Sequence, residues 1–211
     1  MPTSYQAQRW LDLEGDVWLD RNRAILGDND PVCAVIQSVD LKPKRVLEVG
    51  CSNGWRIHKL VTKYGCDGYG IDPSKVAIAE AGDSKHFYVG TADSLPFAGD
   101  TFDMVILGFC MWAIAPEDWF KVVAETTRVL INGGHLVIHD YCHARPHKTE
   151  YRIGSGIYMY FMDFTTLWTS HPGYQTLSEL QSSRGTHFEV ASVLYKDFNS
   201  IPVGGKPVLP A

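Results

Sequence analysis

Val46-Leu47-Glu48-Val49-Gly50-Cys51-Ser52-Asn53-Gly54-Trp55 is an apolar run that ends in an acid and passes through a glycine-bounded turn into a helical pattern. Such a turn suits a nucleoside. Gly50 and Gly54 let backbone approach a ligand where a Cβ would clash, and Ser52 or Asn53 can cap the new helix, whose free N–H groups face the same space. Glu48 then separates ligand classes. A pyrophosphate at the helix N-terminus would be repelled by a carboxylate at the strand end, whereas a cationic amine or sulfonium would be attracted. The dinucleotide fingerprint also requires a third glycine for close helix packing, and Trp55 stands in its place.

Working outward, strand and helix patterns alternate as in a parallel sheet with crossover helices. Arg45 to Val49 reads as the first strand, Asn53 to Tyr64 as its helix, Gly68 to Ile71 as the second strand and Pro73 to Ala81 as the second helix. A short third strand, His86 to Val89, precedes the continuous apolar run Phe102 to Leu107, which fits a central strand buried on both faces. Pro116-Glu117-Asp118 opens a helix to Leu130, Asn132-Gly133-Gly134 ends it, and a fifth strand follows from His135 to His139. Tyr174 to Gln181 and Phe188 to Lys196 read as a terminal antiparallel pair.

The flanks differ in character. Before the sheet, residues 1–40 form a helical cap: a helix from Gln6 to Ile25 broken at Gly15, then one to Val39 started by Asp30-Pro31. Residues 141–172 lose both periods and gather aromatics, a pattern expected of a lid on the acceptor side. Residues 198–211 hold Pro202, Gly204, Gly205, Pro207 and Pro210 and are expected to be a tail with little regular structure. With 211 residues, 45% of them hydrophobic, the chain reads as a single domain, with residues 45–140 as its ligand-binding core.

Composition excludes several classes. A net charge of −5 with scattered basic residues argues against a nucleic-acid partner, and the longest apolar run, Met104 to Ala115, is too short for a membrane span. The polar start, without a signal-peptide pattern, and five cysteines in no C-x-x-C pair lead us to expect a reduced, cytoplasmic protein. His135, His139, His143 and His147 recur every fourth residue, but that spacing clusters ligands only on a helix, and His135 to His139 reads as a strand; no metal is expected.

Candidate site residues lie where strands end. Asp72, twenty-two positions after Gly50, can accept from both ribose hydroxyls or simply cap the next helix, with Pro73 beside it. Ala92-Asp93 offers acceptors to an adenine amine or is only a turn, and Gly108-Phe109 ends the fourth strand where a ligand's amino acid end would pass.

The blocks LEVGCSNG, YGIDPS, GTADSLPFAGDTFDMVILGF and RVLINGGHLVIHD resemble the ordered motifs of class I S-adenosylmethionine-dependent methyltransferases over Arg45 to Asp140. The resemblance implies an α/β, Rossmann-like, doubly wound sheet of seven strands, mostly parallel with one antiparallel. It also implies S-adenosylmethionine as cofactor, with contacts at Glu48, Gly50, Asp72, Asp93 and Phe109, while Cys51, Ser52, Asn53 and Gly54 line the turn. The commonest first motif has Gly where this chain has Ser52. The segment Trp10, Glu14-Gly15, Trp18, Arg21-Asn22 is similar to the entry of methyltransferases of sugar and surface-polysaccharide biosynthesis. This implies that Trp18, Arg21 and Asn22 cover the cofactor or shape the acceptor pocket; Trp10 and Trp18 fit core packing equally well.

The expected reaction is methyl transfer to a small polar molecule, first a sugar hydroxyl and alternatively a quinone-like or phenolic acceptor. A cofactor-binding partner subunit without catalysis is a different class, and a nicotinamide oxidoreductase is disfavoured by Glu48. For a hydroxyl acceptor a general base helps, and the candidates are His139, Asp140 and His143, with Asp163 behind them. His139 packed in the sheet and Asp140 capping a turn are the plain alternatives. The oligomeric state is not readable.

Overall fold

A computed structural model describes residues 4–27, 30–82, 85–152, 154–184 and 187–199. Five strands run parallel: β1 (Arg45–Val49), β2 (Asp67–Asp72), β3 (Phe87–Val89), β4 (Phe102–Gly108) and β5 (Leu130–Cys142). With β8 (Tyr174–Arg184) and β9 (His187–Lys196) they make a seven-stranded sheet ordered β3-β2-β1-β4-β5-β9-β8. β9 is antiparallel to both neighbours and is the one reversed strand. The chain thus adopts the Rossmann-like architecture expected of it.

Helices cover both faces because the central strands are apolar on both. Leu47, Val49, Val105, Leu107, Leu136 and Ile138 join one buried cluster, and Val46, Met104, Ile106, Val137, Ala191 and Val193 the other. The second cluster is closed by α3 (Pro31–Ser38), through Val32 and Ile36, and by α4 (Trp55–Tyr64), through Ile57 and Leu60. Period-two alternation fixes which polar groups share this face. Glu48 lies with Val46, Gly108 with Ile106, His139 with Val137 and Glu189 with Ala191, all toward the edge of the sheet next to the crevice where open α/β sheets bind ligands.

Several boundaries differ from the sequence reading. Gly15 does not break the N-terminal helix: α1 (Tyr5–Arg9) continues through a π-helical segment (Trp10–Glu14) into α2 (Gly15–Asn22). Its missing side chain serves contact instead, since a Cβ there would lie 3.0–3.2 Å from Trp10 O and the Ser74 backbone. Asn132-Gly133-Gly134 does not end the sixth helix, because α6 (Pro116–Val129) gives way at once to extended Leu130, paired with Phe102; the register shift between Phe102 and Met104 absorbs the glycines.

The stretch 141–172 carries its own structure: β5 reaches Cys142, β6 (His147–Glu150) pairs with β7 (Tyr158–Phe161), and α7 (Thr166–Thr169) follows α5 (Lys75–Ala81) and α6 in chain order. Gln6 ties this hairpin to the N-terminal helix, exchanging hydrogen bonds of 2.9 Å with the Tyr158 backbone and donating to Ala113 O at 2.6 Å. Beyond Asn199 the expected tail lies outside the described residues. Among the described residues no helix is long and apolar enough to cross a membrane, and no group of three metal-ligating side chains is found.

Candidate functional site

The turn after β1 is held by backbone. Gly50 (φ +75°) donates to Ile71 O at 2.8 Å, and Ser52, a non-glycine at φ +52°, donates its N–H to Asp72 Oδ2 at 2.8 Å. The other Asp72 oxygen accepts from Ser74 N at 2.8 Å. Asp72 is therefore buried and oriented from two sides, with one lone pair per oxygen committed, and burial pushes its carboxyl up to about 6. The cap of α5 is Ser74, whose Oγ accepts from Ala77 N at 2.9 Å.

Neither Ser52 nor Asn53 caps α4: the residue before the helix is Gly54, at φ +74°, and no side-chain cap bond forms. Gly54 does not face the ligand either. A Cβ there would meet the Phe87 ring at 2.6 Å, so its smallness serves packing against β3. Cys51 is buried under Gly70 and Asn53 turns toward Glu80. Of the expected turn residues, Gly50 and Ser52 line the crevice, whereas Cys51, Asn53 and Gly54 line neither pocket.

A pocket of about 860 Å³, open at its mouth, is lined by Gly50, Asp72, Pro73, Gly90, Ala92, Asp93, Gly108 and Phe109. Trp10, Gly15 and Trp18 of the N-terminal helix roof it, and Trp112 and Ile114 close its far wall. Acidic and backbone groups after β2 and β3 together with an apolar roof fit an adenosine, whose ribose hydroxyls need acceptors and whose base needs a flat apolar slot.

A second cavity shares the wall formed by Trp18, Gly50, Gly108, Phe109 and Trp112. Its remaining surface includes Arg21, Asn22, Ser52, Arg56, His139, Tyr141, Tyr151, Met159 and Glu189. His139 Nε2 lies 3.2 Å from Glu189 Oε2, both side chains being buried; His139 Nδ1 has no hydrogen-bond partner among the described residues. Phe109, a second non-glycine with positive φ (+63°), sets its ring 5.4 Å from the His139 ring.

Two of the three expected bases are not brought here. Asp140 accepts from Tyr141 N at 2.8 Å and Trp112 N at 3.2 Å, which makes it the anchor of the single turn at Met111–Ala113. His143 is not in the cavity lining and meets the rings of His147 and Phe161 edge-on. Asp163 accepts from Thr165 N at 3.0 Å ahead of α7. Of the aromatics gathered in residues 141–172, Tyr141 and Tyr151 line the cavity, whereas Trp168 is core and donates to Thr126 Oγ1 at 3.2 Å. Arg21 bonds to the Tyr151 hydroxyl and lies over its ring, and Asn22 donates to Trp18 O at 2.8 Å, so the helix and the hairpin loop close the mouth together.

Glu48 stands one layer behind Gly108 and outside either cavity lining. It is 1% exposed and pairs through Oε1 with Arg56 Nη1, while Arg56 Nε donates to both oxygens of Asp30 at 3.1 Å. Asp30, expected only as a helix cap, accepts from Val32 N at 3.2 Å and anchors Arg56 as well. The sequence reading named neither Arg56 nor Glu189. Alternation along β9, which places Glu189 in line with Ala191 and Val193, carried the signal for the second; nothing in the spacing marked Arg56.

The family described as "Methyltransferase domain" matches residues 47–138. A probable tocopherol O-methyltransferase, chloroplastic, of Oryza sativa subsp. japonica is 33% identical over 56% of this chain and 34% of its own length. A demethylmenaquinone methyltransferase of Bacillus mycoides is 31% identical over 70% of this chain and 65% of its own. The chain thus spans about a third of the first of these relatives and under two thirds of the second. The Burkholderia thailandensis 1,6-didemethyltoxoflavin-N1-methyltransferase, solved with 1,6-didemethyltoxoflavin and S-adenosylhomocysteine, superposes with a TM-score of 0.69 over 93% of this chain and 92% of its own, at 13% identity. The likeness at that identity is one of fold.

Proposed function

We propose that this chain, a class I S-adenosylmethionine-dependent methyltransferase by its fold and its matched domain, methylates a hydroxyl group of a small molecule. The observation that carries the reading is the buried His139–Glu189 pair in the cavity that shares a wall with the adenosine-shaped pocket. When bound, the cofactor supplies an activated methyl group on a sulfonium. The residues' task is then to position the acceptor and manage one proton.

Glu189, on Nε2, fixes the ring of His139 and favours the tautomer whose Nδ1 is bare, which makes Nδ1 the proton acceptor. Glu189 also stabilises the imidazolium that forms when His139 takes the proton. Trp112, Tyr141 and Tyr151 give the cavity flat apolar walls, and Arg21 bound to Tyr151 excludes water at the mouth.

Such walls favour a planar phenol- or quinol-like acceptor, the alternative weighed from the sequence. Relatives named for tocopherol and demethylmenaquinone support that choice; the sugar hydroxyl, suggested by the N-terminal segment, gains no further support from them.

The test is incubation with labelled methyl donor and a panel of phenols, hydroquinones and sugars, with the product's methylated atom assigned by NMR. Transfer to a phenolic oxygen, lost about 10²–10⁴-fold in His139→Ala, is the expected result. Methylation on carbon or nitrogen overturns the hydroxyl reading, and donor binding without turnover on any acceptor points to the non-catalytic class.

A further inference from the structure

The cavity that holds His139 carries a charge that the methyl transfer itself does not use. Arg21, on α2, stands at its exposed side, and no carboxylate among the described residues pairs with it. Its guanidinium bonds to the Tyr151 hydroxyl, lies 5.2 Å from the centroid of that ring, and donates through Nε to Val17 O at 3.4 Å. Nη1 has no hydrogen-bond partner among the described residues. The nearby acids are already engaged. Glu14 is 2% exposed and lies 3.0 Å from Arg152 and 3.9 Å from Arg9. Asp20 pairs with Arg23 at 3.4 Å, and Asp16 accepts from Ser74 Oγ and Val76 N. Arg152 also lies over the Tyr151 ring, at 5.8 Å. Arg9, Arg21 and Arg152 therefore outnumber Glu14 at this corner, and the mouth is locally cationic on a chain whose net charge is −5.

Deeper in the cavity the charges are matched, Arg56 by Glu48 and Asp30, and Glu189 by His139. Flat rings join the mouth to the interior. Between ring centroids, Tyr151 lies 5.6 Å from Trp112, Trp112 6.1 Å from Phe109, and Phe109 5.4 Å from His139. His139 is buried and Arg21 exposed, so this wall runs from the inside outward. A planar acceptor laid along it with its hydroxyl at His139 turns its far end toward Arg21. One unpaired guanidinium matches one unit of negative charge, which is a carboxylate; a phosphate group brings nearly two. The apolar walls beside that cation focus its field on an arriving anion.

We infer that the acceptor is an aromatic acid, its hydroxyl placed at His139 and its carboxylate at Arg21, and that Arg21 is the residue that selects it. Tyr151 holds the guanidinium at the mouth through its hydroxyl and its ring. This rests on the hydroxyl-acceptor reading above and narrows it from phenols in general to those that carry a carboxylate at the end opposite the hydroxyl.

Steady-state kinetics of the full chain with S-adenosylmethionine test it on matched pairs, 4-hydroxybenzoate and 4-hydroxycinnamate, each against its own methyl ester. The wild-type protein is expected to show kcat/KM about three- to tenfold higher for the acid, carried by KM, with the advantage shrinking as salt is added. Arg21→Gln is expected to bring acid and ester to the same value. Tyr151→Phe breaks the clamp but keeps both ring and guanidinium, and it is expected to keep the acid ahead. An arginine that only clamps the hairpin to the helix would instead slow acid and ester alike in both variants. That result overturns the inference, as does an ester used as well as its acid by the wild-type protein, or an acid advantage that survives in Arg21→Gln. Turnover of neither acid nor ester is a different outcome: it strikes the hydroxyl-acceptor reading itself, and the inference falls with it.

Discussion

Replacing Gly108 by Ala tests whether the buried ion pair behind the crevice governs this end of the sheet. In an ordinary strand the change is favourable by about 0.5–1 kcal/mol, since glycine loses the most freedom on folding. Here the new Cβ overlaps Arg56 Nη1 and lies 2.7 Å from Glu48 Oε1. Arg56 has no room to retreat, because Nε is fixed on both Asp30 oxygens at 3.1 Å and the guanidinium lies 4.4 Å from the Trp55 ring centroid. The clash is therefore relieved by parting Arg56 from Glu48, and separating a buried pair costs about 3–5 kcal/mol. Offsetting the glycine gain leaves a net loss of about 2–4 kcal/mol, or roughly 4–16 °C in Tm for a chain of this length.

The assay is a double-mutant cycle by thermal and urea unfolding of the wild-type protein, Gly108→Ala, Arg56→Ala and the double variant. Removing the guanidinium first should make Gly108→Ala nearly harmless, so the two changes couple by at least about 1 kcal/mol. If Gly108→Ala costs as much in the Arg56→Ala background as in the wild type, the clash is not with Arg56 and the reasoning fails.

Asp72→Asn keeps the shape but puts an amide donor against the N–H of either Ser52 or Ser74 and removes one of the two ribose acceptors; calorimetry should show S-adenosylhomocysteine weakened about tenfold or more, and unchanged affinity would refute the ribose assignment. In Glu189→Leu, which leaves Nε2 without this acceptor, nitrogen NMR of the His139 ring should show loss of the single tautomer with Nε2 protonated, whereas a ring still fixed in that tautomer would deny Glu189 its positioning role. Burial pushes Glu48 up to about 7 from 4.5, Arg56 opposing and Asp30 and Asp72 adding to it. The folded protein accordingly holds a proton on Glu48 to higher pH than the unfolded chain does, and its stability falls as pH rises from about 4.5 to 7. Urea titrations at pH 5 and 7.5 should lose that difference in Glu48→Gln, and parallel pH dependence in the two proteins would contradict it.

The sheet was legible because its signals are local. Arg45 to Val49 and Phe102 to Leu107 are apolar runs bounded by turn residues, and in each the strand formed within a residue of its expected end. Asp72 was legible for the same reason, standing directly after a strand that needs no distant partner to be recognised. Gly15 misled because a glycine in a helical pattern has two readings, a break or a close approach. Only the Ser74 backbone, fifty-nine positions away, distinguishes them. The hairpin of β6 and β7 was hidden because β6 (His147–Glu150) is exposed along its whole length, so its strand carries no alternation of apolar residues.

The charged residues show most clearly where local reading stops. A carboxylate at a strand end suggests, in isolation, that Glu48 faces a cationic ligand directly. In the fold it faces Arg56, eight positions on, because one strand, one turn and half a helical turn bring the two onto the same face. The expectation was incomplete because a monodentate pair satisfies only half of each partner: the second Glu48 oxygen still lacks a donor. A buried carboxylate with a cation on one oxygen and nothing on the other exerts its attraction only on a guest that also accommodates that cation.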